Sequence, residues 1–424
     1  MPTLPDLSRL ASALPEPVLA EAAPPRLISI WEITSWILPM APEHLRRVLA
    51  ASPDLPQGSA GGEGSTRWFT AAEVATLRGH FSQSPRKARY QPQRPANSKA
   101  PLITLAQPQG RAGRSTAALH LVTAAALAGY RVLLIDADPA GTLAQALRIG
   151  AAHETGVHGL IARSAARHLR QSNEARLDRG EAPLAMDAVL SAALGLQAQD
   201  LIHPTLWPGL DLLPAAPALM QADLQIGRWR MAQARWQPWR ALAAALDSDG
   251  LRSRYDLILC DTGRGLGPLA LSMLAAADVL LAPLPLAPGA GQSLSAGLEA
   301  LAQALSAVQT EAQITAQALG QAAQPMQWRR LAVLPTRARP DAAAVLAGYA
   351  AKLGVALLPS PLPEIAQIAN GTAAQFYDLD YREVGRLIYA PQREATEAAW
   401  RGVADLLAGL WAEDSSAQSQ LLFG

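Results

Sequence analysis

A single cysteine, Cys260, occurs in 424 residues, which excludes an internal disulfide framework and a multi-cysteine metal site within one chain. Lysine is nearly as scarce: Lys87, Lys99 and Lys352 stand against thirty-three arginines, the drift from Lys to Arg that a GC-rich genome produces. Only 17% of residues are charged and the net charge is +1, so overall charge points to no particular partner. No run of eighteen apolar residues occurs, and no charged segment leads into an apolar one at the N-terminus. Neither a membrane span nor a secretory leader is therefore expected, and the chain reads as soluble and cytoplasmic.

Half of the residues are hydrophobic, enough for a sizeable core, and the length allows one large domain plus a smaller one. Residues 1–25, rich in Pro and Ala, read as a flexible arm. Residues 26–84 read as a small helical module, 85–100 as a basic, Pro-containing linker, 101–413 as the main domain and 414–424 as a tail. Between Arg67 and Lys99, seven basic residues face one acid, Glu73. From 101 onward, apolar strand-like runs alternate with Ala- and Leu-rich helical runs, the pattern of a parallel α/β sheet. The candidate strands are 103–106, 132–135, 210–213, 257–260, 279–282, 331–334 and 355–358. The segment 392–412 reads as one long helix with Leu406, Leu407, Leu410 and Trp411 as its buried stripe.

Three segments carry the chemistry. The first is Gln109-Gly110-Arg111-Ala112-Gly113-Arg114-Ser115-Thr116, placed between a strand and the helical stretch 116–128. In that setting backbone N–H groups and a helix N-terminus cradle phosphates. The second is Asp136-Ala137-Asp138-Pro139 and the third Cys260-Asp261-Thr262-Gly263, each closing an apolar strand, where parallel sheets place their ligands. An Asp at one strand end is commonly just a cap or turn residue; three such segments in this order point to a P-loop fold. Ser115, Asp136 and Asp261 are the candidate Mg²⁺ ligands, and Asp138 the candidate catalytic residue orienting an attacking water.

On these motifs the main domain resembles the ParA/MinD superfamily of deviant Walker ATPases, whose pattern is KGGxGK[ST][ST], then DxDP, then a strand ending in DT. The segment 203–214 (HPTLWPGLDLLP) is similar to the RepA-type plasmid partition branch of ParA. The resemblance implies an α/β fold: a P-loop NTPase-like, mostly parallel twisted sheet flanked by helices, with an N-terminal winged helix-turn-helix module. It further implies ATP or ADP with Mg²⁺ at 109–116, a homodimer, a ParB-like centromere-binding partner, and a cytoplasmic, nucleoid-associated setting. The departures are specific. Gln109 stands for the family's signature lysine, Arg111 for a glycine, Arg114 for the Walker lysine and Gly263-Arg264 for Pro-Pro. Arginine is bulkier than an ammonium and cannot repeat its compact contact, and phosphoryl transfer depends on positioned charge, so weak or absent hydrolysis is expected. Arg264 is either a compensating phosphate ligand or an exposed loop residue.

In the N-terminal module, residues 32–38 and 41–49 read as helix–turn–helix, with Arg46 and Arg47 on the second helix. A Gly-rich tip at 58–64, an extended Arg67-Trp68-Phe69 and a capping box opening at Thr70 complete a winged pattern. Clustered Arg and Lys supply the phosphate-neutralising part of DNA binding, which nominates Arg46, Arg47, Arg67, Arg86, Lys87 and Arg89; a packing module with ordinary surface arginines is the alternative. Three functions follow: a DNA partition protein, a pseudo-ATPase acting as DNA-binding regulator or scaffold, and a MinD-like membrane-positioning ATPase. The last is disfavoured because 415–424 lacks a basic amphipathic face. The iron-protein relatives are excluded by the cysteine count.

Overall fold

The computed structural model describes residues 26–60, 67–83, 90–92, 94–96, 98–107, 113–150, 155–318, 320, 322 and 326–423. Residues 1–25, most of the Gly-rich tip, the loop positions Gln109 to Ala112, and Arg86, Lys87 and Arg89 of the linker lie outside the described residues.

The N-terminal module has three short strands, β1 (Ile28–Ser29), β2 (Ser59–Ala60) and β3 (Arg67–Phe69), in antiparallel order β1-β3-β2. Helix α1 (Ile30–Glu32) runs on into a π-helical turn, Ile33–Ile37. Helix α2 (Pro42–Ala51) starts at Pro42, whose missing N–H costs nothing in a first turn. Helix α3 (Ala71–Ser82) opens on the expected capping box, in which Thr70 and Glu73 satisfy each other's backbone N–H groups. Ile33, Leu45, Leu49, Leu77 and Phe81 form the interior of the module.

That interior is continuous with the core of the main domain, because the same apolar cluster runs through Tyr377, Tyr389 and Trp400. The join is also polar. Glu32, fully buried, accepts from Ser29, Arg26 and the Tyr389 hydroxyl at 2.7 Å. Arg78 of α3 donates to the carbonyls of Ile37 (3.0 Å), Tyr90 and Leu127. Arg382 lies 4.1 Å above the Trp68 ring.

The main domain is built on a seven-stranded sheet. Its strands are β4 (Leu102–Leu105), β5 (Val132–Asp136), β6 (His203–Pro204), β7 (Leu210–Leu213), β8 (Leu257–Asp261), β9 (Val279–Pro285) and β10 (Arg330–Thr336). Their order is β10-β9-β4-β8-β5-β7-β6, parallel except for β6, an antiparallel edge on β7. The central strands β4, β5 and β8 are buried along their whole length, as a sheet covered on both faces requires. Helix α4 (Arg114–Leu127) is buried all round from Ala117 onward, being enclosed between the sheet and the final helix.

Two expectations need correction. Residues 355–358 do not form a strand: Gly354–Ala356 is a 3₁₀ turn, and Leu357 contributes one isolated bridge to Val333. The apolar run had the composition of a strand, but Gly354 (φ 56°) turns the chain before a ladder can extend. The final helix, α5 (Arg386–Phe423), is longer than 392–412 at both ends and takes in most of the supposed tail. It contains Pro391 in its second turn, near enough to the helix start for the proline to be tolerated.

Candidate functional site

Register brings the three motifs together. Asp136 pairs with Asp261 across β5 and β8, and Leu105 pairs with Asp261 across β4 and β8. The carboxyl ends of three adjacent strands are thus level, and α4 starts directly above them. Gly113 caps α4 at φ 73° with nothing within 4 Å of the place a Cβ would occupy. Its requirement is conformational, the left-handed turn that leads a phosphate loop into its helix.

The Asp136 Oδ1 accepts from the backbone N–H of Asp138 at 3.0 Å, and Asp138 Oδ1 accepts from that of Ala140 at 3.0 Å. Gly263 closes against this turn. Its φ is 71°, and a Cβ there would meet Asp138 Cα at 2.9 Å and the Ala137 carbonyl at 3.0 Å. Thr262 Oγ1 donates to the Leu105 carbonyl at 3.1 Å. Backbone approach at Gly263 therefore locks the second motif to the third.

Arg114 fills the space between them. Its side chain is 6% exposed, and Nη1 donates to the Gln107 carbonyl at 2.5 Å. Nε lies 3.6 Å from Asp261 Oδ1 and Nη2 lies 3.9 Å from Asp138 Oδ2. Ser115 Oγ donates to Asp261 Oδ2 at 2.5 Å. Burial raises the Asp261 pKa, against the opposing pull of Arg114 and Ser115. Burial, with the neighbouring charges of Asp261 and Asp138, pushes Asp136 up to about 8 despite the N–H it accepts from Asp138. Burial also lowers the Arg114 pKa, an effect that Asp261 and Asp138 oppose.

Ser115, Asp136 and Asp261, the residues expected to hold Mg²⁺, do converge, but they are not a free donor set. Ser115 is engaged with Asp261, and the inward charge of Asp261 already faces a guanidinium. A divalent ion needs close oxygen ligands at about 2.0–2.1 Å, and Arg114 would have to leave to admit one. Among the described residues no group of three or more His, Cys, Asp or Glu side chains is arranged to hold a metal. As arranged, the site does not fit the ion.

Beside the start of α4 lies a cavity of about 400 Å³ lined by Gly113, Thr116 and His120 on one side and by Thr336, Leu362 and Ile365 on the other. That volume suits a small organic ligand. Two polar atoms among its lining residues are buried without a hydrogen-bond partner, Thr336 Oγ1 and His120 Nδ1. His120 Nε2 accepts from the Phe376 N–H at 3.0 Å, which leaves the ring proton on Nδ1, and burial lowers its pKa to about 4. Arg337, at φ 55°, and Glu364 form the rim as an ion pair at 3.1 Å. Gly113 and Thr116 belong to the loop named from the sequence, whereas His120, Thr336, Arg337, Leu362, Glu364 and Ile365 were not nominated from it. The signal existed, since Thr336 ends β10 as Asp261 ends β8, but the strand-end rule had been applied only where acidic or Gly-rich motifs followed.

A family model described as an AAA domain matches residues 100–317, just over half of the chain. The chain belongs to that family. Among curated relatives, the chromosome partitioning protein ParA of Caulobacter vibrioides is 30% identical over 183 residues, 43% of this chain and 55% of that protein. The chromosome-partitioning ATPase Soj of Thermus thermophilus is 32% identical over 187 residues, 44% of this chain and 55% of that protein. A putative replication protein A of Sinorhizobium fredii is 28% identical over 231 residues, covering 54% and 49%. The chain thus spans about half the length of the curated relatives it matches. A solved structure described as a partition protein superposes with a TM-score of 0.54 at 19% identity, covering 89% of this chain and 96% of that one, a likeness of fold. Two of these relatives are named for chromosome partitioning, in line with the ParA resemblance that the motifs carry.

Outside the AAA domain, Arg46 and Arg47 are exposed on α2. Arg46 lies 3.4 Å from Glu43, and Arg47 hydrogen-bonds His44 Nδ1 at 3.0 Å. Arg67 is exposed too, but it braces the module by donating to the Gln57 side chain at 2.8 Å. Gln57 in turn donates to Leu49, Ser52 and Leu55 carbonyls at the end of α2. Arg264 is exposed on its loop, near enough to Arg114 to oppose its charge. Cys260 is fully buried, and burial holds its thiol well above the usual range, so it is an inert core residue. No helix among the described residues is long and apolar enough to cross a membrane.

Proposed function

We propose that the protein is a ParA-like DNA partition protein that binds DNA through its N-terminal module, responds to nucleotide through the AAA domain, and hydrolyses ATP weakly or not at all. The observation that carries this reading is the level alignment of Asp136 and Asp261 under the start of α4, beside a nucleoside-sized cavity. In this reading the nucleoside enters the cavity between His120 and Thr336, and its phosphates meet the N-terminal turn of α4. The relatives named for chromosome partitioning support the cellular role. A homodimer, a ParB-like partner and a cytoplasmic, nucleoid-associated location belong to the same proposal.

Weak hydrolysis follows from Arg114. Asp138, the residue placed to orient a water, shares its carboxylate between the Ala140 N–H and the guanidinium, and charge that should develop on a transferring phosphoryl group has no lysine to meet it. The same observation favours a second reading, a pseudo-ATPase that acts as a DNA-binding regulator or scaffold. Titration of the purified protein with ATP–Mg²⁺, following binding and phosphate release together, separates them. Nucleotide binding with little release is expected. Robust turnover eliminates the pseudo-ATPase, and absence of binding at millimolar nucleotide eliminates the nucleotide switch. Restoring Arg114→Lys with Gln109→Lys is expected to raise turnover.

A further inference from the structure

We infer that Arg114 is the resident cation of this site, holding the place between Asp138 and Asp261 that a divalent ion would need, so that a nucleotide phosphate is received there without metal. The exclusion of metal rests on the described geometry; the metal-free binding of phosphate rests also on the nucleotide-responsive reading.

Three contacts define the position. Nη1 is anchored on the Gln107 carbonyl at 2.5 Å, while Nε and Nη2 reach toward Asp261 at 3.6 Å and Asp138 at 3.9 Å. The guanidinium plane therefore spans both strand-end carboxylates. A lysine ammonium is a point charge that can meet a phosphate and leave room for an ion beside it; the planar fork fills that room. Arginine also stays charged at any accessible pH, so titration cannot open the position.

Ser115 Oγ, the hydroxyl a P-loop lends to Mg²⁺, is turned instead to Asp261 at 2.5 Å. A metal ion bound at Asp261 would lie against a buried like charge, a repulsion that low dielectric makes severe. A phosphate arriving at the start of α4 meets the opposite situation. The guanidinium has five donors, of which one is spent on the Gln107 carbonyl, and the long contacts to the carboxylates leave the others able to turn to phosphate oxygens. Arginine binds phosphate with a planar pair of donors and needs no bridging ion to do so.

Two measurements on the full-length protein test this. The first is binding of fluorescently labelled ADP with Mg²⁺ and with EDTA. Wild type is expected to show the same affinity in both, within about twofold, and Arg114→Lys to become Mg²⁺-dependent by about tenfold or more. A wild-type affinity that collapses in EDTA overturns the inference. The second is thermal melting without nucleotide, in the presence and absence of Mn²⁺. Mn²⁺ is expected to leave wild type unchanged and to raise the melting temperature of Arg114→Ala, with the gain lost in Arg114→Ala combined with Asp261→Asn. A wild-type gain that Asp261→Asn removes overturns the inference. So does Mn²⁺ that moves neither protein, because removal of the guanidinium then opens nothing. If labelled ADP binds in neither condition, the nucleotide-responsive reading fails by itself and the melting series still decides whether Arg114 excludes metal. If Arg114→Ala does not fold, Arg114→Lys takes its place in the Mn²⁺ series.

Discussion

At the seam between the N-terminal module and α5, Arg26 and Arg393 face Glu32 and Glu397, with Tyr377 and Tyr389 between them. At the carboxyl end of the sheet, Arg114 faces Asp138 and Asp261, and Asp136 pairs beside Asp261 on the neighbouring strand. Both places bury arginine and carboxylate together, yet the shortfall falls on opposite sides. Among these groups, the buried side-chain atoms without a hydrogen bond are the guanidinium Nε atoms of Arg26 and Arg393 at the seam; at the sheet they are the carboxylate oxygens Asp136 Oδ2 and Asp261 Oδ1. Two charges of each sign face one another at the seam. At the sheet end one guanidinium faces two carboxylates even while Asp136 keeps its proton, and the raised Asp136 pKa makes the charge of the site depend on pH.

The largest effect is expected at the seam. Arg393→Ala removes the ion-pair partner of the largely enclosed Glu397, and removing one partner of a buried pair costs about 3–5 kcal/mol, measurable by urea unfolding. Arg393→Met with Glu397→Leu removes both charges and is expected to recover most of that loss; a double variant as unstable as the single one breaks the picture of a charge-balanced joint. Next comes the backbone at the sheet end. Gly113→Ala is expected to cost about 1–2 kcal/mol, from the left-handed turn alone. Gly263→Ala is expected to cost more, because its Cβ also strikes the Asp138 backbone at 2.9 Å. Equal losses at the two positions would show that the second and third motifs are not locked together.

The folded pKa of Asp136, about 8, lies above its unfolded value. Its contribution to stability is thus fully present below the unfolded pKa and is lost as pH rises through about 8. Asp136→Asn is expected to flatten that decline, so that the variant gains on wild type between pH 6 and pH 9 by about 1 kcal/mol or more; parallel stability curves would deny Asp136 this role. The smallest effect on stability belongs to α2. Arg46→Ala with Arg47→Ala changes exposed side chains and is expected to stay within about 0.5 kcal/mol of wild type. DNA affinity, by contrast, should fall, and its salt dependence should become shallower by about one unit per arginine. An unchanged affinity would leave the module a packing element.

Much of this was legible in the residues. Alternating apolar runs placed six of the seven main strands; Asp136, Asp138 and Asp261 were named because they close apolar strands, and Gly113 because it lies in the loop between a strand and a helix. Asp261, Gly263 and Thr336 show the limit. The first two lie in a recognisable motif; the third ends β10 in a segment without one, and was missed although it lines the same end of the sheet. The 3₁₀ turn after Gly354 was misread as a strand because composition records burial but not the direction in which the chain turns.

The sequence alone determined the class of fold, since period and motif order are local properties that few architectures satisfy. It also determined that a lysine is missing beside Ser115. What that absence means was settled by tertiary structure. The Arg114 guanidinium reaches toward Asp138 and Asp261, residues 24 and 147 positions away along the chain. Parallel register, not proximity in the sequence, brings those charges within 4 Å of it, where low dielectric makes a single cation decide what else can enter.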